Sequence, residues 1–214
     1  MTSSLFSALR PALALATALA LVTTAPAPAP AHADADAGTW TVSPGGAVSA
    51  TAPAELRNTA KGWTIRCTAA FSGTAPAGAG QSGYGLISFD QGSLTACTGP
   101  HALTTAATAA NLPWDFYADS YAAAEGTTTA TFNNLNLTLD VSNGCRADVG
   151  APDGAPGTTG ATYANGDRTL TLSGAHLSVT FTNYRCTADL VAPGDAIELA
   201  ASLPVTPAQT ITSP

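Results

Sequence analysis

Apolar and polar residues alternate through much of the chain. Leu135, Leu137, Leu139 and Val141 fall on one side of a two-residue period, with Asn136, Thr138 and Asp140 on the other. That period marks a strand with one dry face and one wet face. Trp63, Ile65, Cys67, Ala69 and Phe71 share a face in the same way, as do Leu170 with Leu172, Leu177 with Val179 and Phe181, and Ile197 with Leu199. The pattern predicts further strands at Trp40–Val42, Ala47–Thr51, Glu55–Thr59, Tyr84–Asp90, Ser93–Thr98, His101–Ala107, Trp114–Tyr121 and Thr127–Phe132. Pro53 separates the second and third of these, and Gln91-Gly92 the fourth and fifth. Residues 73–83 read as a Gly-rich loop. Asn143-Gly144 and Asn165-Gly166 lie between alternating runs, where type I′ turns would place both residues at positive φ. TTAATAA, Thr104 to Ala110, has helix-forming alanines, but its threonines and the lack of a helical apolar stripe favour extended structure. The fold class is all-β: a sandwich or flattened barrel of antiparallel strands. A faint echo of Cys67–Cys97 in Cys145–Cys186 suggests two related β units.

The first 33 residues have the form of an export signal. Arg10 precedes an apolar run from Ala12 to Val22, too short for a hydrocarbon core of about 30 Å, and Ala31-His32-Ala33 fits an A-x-A cleavage site. A linker at 34–38, one β domain at 39–205 and an extended, partly loose tail at 206–214 complete the organisation. The expected location is extracellular. Four cysteines in an exported chain should pair. Of three pairings, Cys67–Cys97 with Cys145–Cys186 is preferred, because each bridge then staples a sequence-local unit. No C-x2-C clip supports zinc.

Charge narrows the partners. Without Arg10, six Lys and Arg face fourteen Asp and Glu, and no basic run occurs. Nucleic acid and anionic membrane both need a basic footprint. Neither these partners nor membrane insertion is expected.

GTWTVSPGGAVSATA near the start, ACTGP at 96–100, NLPWDF at 111–116, YANG at 163–166, the closing PGDAIELAASLPVTPAQTI and the four cysteines together resemble a family of small exported actinomycete proteins. The resemblance implies a secreted, disulfide-bonded β architecture. It carries no activity, cofactor or catalytic residue.

Chemistry-bearing motifs are few. Gly78-Ala-Gly80-Gln-Ser-Gly83 spells GxGxxG, but a strand follows where a phosphate site needs a helix N-terminus. Leu203-Pro-Val-Thr206 lacks the Gly and the apolar span of a sorting signal. No G-x-S-x-G elbow accompanies His101 or His176. No cofactor is implied; a loop calcium would have to draw on Asp148, Asp153 or Asp167. The strongest candidate site is the cluster around Trp114. Trp114 and Phe116 should face the core, leaving Tyr117 and Tyr121 together on the opposite face beside Asp119. Such a platform could stack on a sugar ring while the acid binds hydroxyls. The function expected is a secreted, non-enzymatic structural or binding domain, with cell-wall glycan or a small apolar ligand held between sheets as partner. The alternative is a glycan hydrolase using two of Asp115, Asp119, Glu125, Asp148 and Asp153.

Overall fold

The computed structural model describes residues 39–99, 104–175 and 177–214. The expected leader, the linker, His101 and His176 lie outside the described residues. The strands are β1 (Trp40–Ser43), β2 (Gly46–Asn58), β3 (Trp63–Ala75), β4 (Gly78–Gln81), β5 (Ile87–Thr98), β6 (Thr104–Ala110) and β7 (Trp114–Ala122). They continue with β8 (Thr127–Val141), β9 (Arg146–Gly150), β10 (Gly157–Ala164), β11 (Thr169–Ala175), β12 (Leu177–Thr182), β13 (Ala196–Thr206) and β14 (Thr210–Thr212).

Antiparallel pairing carries β2 to β3 and β3 to β5. β6 and β7 lie end to end and share one place between β5 and β8. β9 and β10 likewise share the next place beside β8. β11 and β12 share the one after, against β13. β13 then pairs with β2, from Ile197 opposite Asn58 to Thr206 opposite Ser49. The last long strand thus meets the first, and the meander closes into a ring of eight staves. Of the two expected architectures, this is the barrel. Its strands are neighbours in sequence order, so the two cystines staple adjacent staves of one ring, not two sheets packed face to face. Both preferred pairs are bonded, Cys67–Cys97 and Cys145–Cys186.

Side chains sort by parity. On β2, Val48, Ala50, Ala52, Ala54 and Leu56 point inward and are buried, while Ser49, Thr51, Pro53, Glu55 and Arg57 are exposed. The interior is filled by rings. Phe71 lies 5.5 Å from both Phe89 and Trp114, and Phe132 lies 6.0 Å from Phe89 and 6.2 Å from Trp114, all four being buried. Eight staves enclose a space that side chains can just fill.

Several sequence readings change, each for a local reason. Gln91-Gly92 is not a turn: β5 runs through it, and Gly92 is needed because a Cβ there would come within 2.6 Å of the Phe71 ring. Pro53 does not split β2. It points outward and lies in the gap of the β13 ladder between the Ala201–Ala54 and Val205–Ala50 pairs; there a missing N–H is tolerated. Residues 73–83 are not all loop, since they hold the end of β3 and all of β4. The two Asn-Gly hairpins exist, but neither turn is type I′. Only Gly144 of the first pair has positive φ, and in the second turn Arg168 takes the left-handed conformation. TTAATAA is a strand, as read.

The tail is extended but not loose. β14 pairs with β1, and β1 with β4, forming a three-stranded sheet. Asn165 grips Ile211 by two hydrogen bonds, Nδ2 donating to its carbonyl and its N–H donating to Oδ1, both at 2.8 Å. Residues 183–195 fold over the other end. Leu190 and Val191 are buried there, Trp63 Nε1 donates to the Leu190 carbonyl at 2.6 Å, and Asn58 Nδ2 donates to Asp195 at 2.8 Å.

The Cys67–Cys97 bridge closes a separation of 30 residues. Replacing both by Ser should lower stability by about 3–4 kcal/mol through the freed unfolded chain. Denaturant melts check this; an unchanged midpoint would contradict it.

Candidate functional site

Outside the barrel, the sequence-predicted platform is partly reassembled. Trp114 and Phe116 are fully buried, as their parity implied. Tyr117 faces outward opposite Thr131, and Asp115 opposite Asn133. The register then slips: Ala118 pairs with Ala130, but Ser120 pairs with Thr129, leaving Asp119 as the extra residue of a β-bulge. A bulge of one residue reverses the parity beyond it. Tyr121 therefore lies opposite the buried Thr128 and packs against the core. The expectation that Tyr117 and Tyr121 share an outer face is corrected by this slip.

The second outer ring is Tyr84, which the alternation pattern assigns to the start of a strand but which precedes β5. It sits in a turn between Gly83 and Gly85, 68 % exposed, and its ring meets Tyr117 edge to face with centroids 4.9 Å apart. Backbone hydrogen bonds hold that turn against β7: Ala118 N–H donates to the Gly83 carbonyl at 2.9 Å and Leu86 N–H to the Phe116 carbonyl at 3.1 Å. The glycines on either side of a large aromatic were the available signal, since a ring in such a turn has no strand face to bury it.

Tyr84, Tyr117, Asp119, Thr131 and Asn133 line a cleft of about 260 Å³. Thr131 Oγ1 donates to Asp119 Oδ2 at 3.2 Å, which orients the carboxylate. Below it, Asp115 accepts from Ser88 Oγ at 2.6 Å and from Asn134 Nδ2 at 3.1 Å. Burial raises the Tyr117 pKa above the ordinary phenol value, helped by the negative charge of Asp115 and by Tyr84. The phenol thus stays a neutral donor. Ring faces, a fixed carboxylate, an amide and hydroxyls are the groups that hold a saccharide.

The other candidate acids do not join this cleft. Asp148 accepts from Thr138 Oγ1 at 2.8 Å, and Asp153 accepts from the Ala155 N–H at 3.0 Å. Glu125 lies in the turn between β7 and β8. Among the described residues no group of three His, Cys, Asp or Glu is placed to hold a metal. The GxGxxG stretch lies on β4 and the turn after it. A second, larger groove of about 660 Å³ runs beside β12, lined by Pro152, Leu177, Val179, Pro193 and Ala196 together with Asp153 and Thr180.

A protein-family model described as alkane oxidation protein activator PraA/PraB-like matches residues 8–213. No curated protein and no solved structure matches the chain.

Two phenols have raised pKa values: Tyr117, and Tyr163, where burial outweighs the opposing backbone hydrogen bond from Gln209 and the charge of Arg168. The unfolded chain releases these protons first. Their contribution to stability is therefore full below about pH 10 and is lost as pH rises through the folded values. Asp115→Asn should lower the Tyr117 pKa by removing a repelling charge. Phenolate absorbance titration alongside denaturant midpoints checks both; phenols titrating at the ordinary value would contradict them.

Proposed function

The chain belongs to the alkane oxidation protein activator PraA/PraB-like family, and on that footing we propose that it is an exported accessory protein that works by binding, with a neutral saccharide held in the Tyr84–Tyr117 cleft. The observation that carries this is the placement of rings. Phe71, Phe89, Trp114 and Phe132 occupy the interior, where a carrier would keep its ligand, so binding falls to the outer wall. There Tyr84 and Tyr117 stand together beside Asp119 and Asn133. Two cystines support export, since such bridges persist in oxidising compartments. The family's description is that of an activator, which supports an accessory role over a hydrolytic one. The Asp119 carboxylate accepts hydroxyl hydrogen bonds and repels anionic sugars, so a neutral ligand is the one expected.

The apolar lining of the β12 groove favours a second reading, a bound alkyl chain. It fits the family's description, and its ligand would be indifferent to Tyr84.

Calorimetric titration with neutral disaccharides of glucose, mannose and galactose tests the first reading. Tyr84→Ala and Tyr117→Ala should each weaken binding about tenfold, or 1.4 kcal/mol, while Tyr121→Phe should not. The tryptophans are poor reporters of this cleft, because none of the three lines it: Trp40 and Trp114 are buried, and Trp63 is tied to the Leu190 carbonyl. Absence of binding to every sugar, or binding indifferent to both tyrosines, would refute the proposal.

A further inference from the structure

Beside the cleft, the outer wall becomes a neutral hydroxyl surface. Strand register builds it. Thr129 on β8 lies opposite Thr162 on β10, and Thr162 lies opposite Thr171 on β11, so three threonines stand in one row across three staves. Neighbouring strands are about 4.8 Å apart, so the row spans roughly 10 Å. Thr127 and Thr169 flank it on one side, in register through Ala164. On the other side stands Thr131, which already lines the cleft and lies opposite Tyr117. All six threonines are exposed or half-buried. The interior beneath them is filled by buried side chains, and backbone pairing of β8, β10 and β11 sets the register of the hydroxyl-bearing carbons.

Strand propensity accounts for threonine at outward positions, but not for where the charges are. Several other outward faces mix hydroxyls with ions: Glu55, Arg57 and Arg66 on β2 and β3, and Asp140, Arg146 and Asp148 on the far half of β8 and on β9. The outward positions of β8 from Thr127 to Asn133, of β10 from Gly160 to Ala164 and of β11 from Thr169 to Ser173 carry none. A charge-free contact surface loses least when water is displaced, which is why charged residues are depleted at interface centres. Threonine offers both a methyl and a hydroxyl, matching the C–H and O–H groups of an uncharged sugar.

We propose that the saccharide of the cleft is one end of a longer neutral oligosaccharide, whose following sugars lie on the Thr129–Thr162–Thr171 row. This rests on the cleft reading and extends it: Tyr84 and Tyr117 anchor one sugar, and the row selects for chain length and against charge. Because the wall curves around a ring of eight staves, contact is limited to about three strands and the gain with length must level off.

The test is calorimetry of the intact protein with linear gluco- and manno-oligosaccharides from disaccharide to hexasaccharide. Affinity should rise about tenfold or more between disaccharide and tetrasaccharide, then level off. Thr162→Glu, at an exposed wall position, should abolish that rise while leaving disaccharide affinity unchanged; Thr162→Val, which keeps shape and removes the hydroxyl, should reduce it. Circular dichroism confirms that both variants keep the fold. Tyr84→Ala should weaken every length alike. Equal affinity for all lengths, or a length dependence untouched by Thr162→Glu, would overturn the extension and leave the cleft standing; polygalacturonate binding as well as the neutral chains would overturn the extension and, with it, the neutral-ligand reading of the cleft. No binding of the wild-type protein at any length would overturn both.

Discussion

The pairing of β13 with β2 is the constraint on which this molecule depends. Two strands from opposite ends of the described chain meet from Ile197–Asn58 to Thr206–Ser49. Without that ladder, β2 and β13 would each present a long row of unpaired backbone groups, an invitation to aggregate. With it, the sheet has no open edge among the eight staves, and the inner faces of all of them converge on one space. The small side chains of β2, alanine at three successive inward positions, leave room for the rings that fill it. Asn58 at the end of the ladder is tied to Asp195, which in turn accepts from the Ala192 N–H, so the closing seam is also where the covering segment is fastened.

Closure has a functional corollary. A ring of eight staves holds one layer of packed side chains, and aromatic edges already occupy it here. On the reading proposed here, binding to other molecules therefore falls to its outer wall. The wall is polar where the interior is apolar, the reverse of a barrel whose outer surface faces lipid. Against that polar background, the bulge at Asp119 is what shapes the Tyr84–Tyr117 cleft. It breaks the ladder by one residue, turns Tyr121 inward, and leaves Tyr117 as the last outward ring of its strand, where the glycine-flanked Tyr84 can meet it.

Much of this was legible in the residues and some was not, for physical reasons. Alternation identified the strands, put Trp114, Phe116 and Cys67 inside, and resolved Thr104–Ala110 as strand in spite of its alanines. Local spacing gave both cystines. Parity, however, assumes an unbroken pleat, and nothing in SYAAAEG announces a bulge one residue earlier; so Tyr121 was placed on the wrong face. Gly92 and Pro53 look like punctuation when read locally. In the fold, one makes room for the Phe71 ring and the other sits in a gap of the ladder. The β13–β2 closure is a pairing between distant segments, which no window of sequence contains. The same holds for the threonine row, whose members alternate unremarkably along each strand and gain meaning only through register.

Native-state hydrogen exchange on β2 and β13 tests the closed ring most directly. If the ladder seals the barrel, the amides of Leu56 and Leu199, paired across the seam, should exchange only through global unfolding, as slowly as those of central β8. Exchange of these amides through a smaller opening, with β8 still protected, would mean an open-edged sheet in solution and would contradict the account.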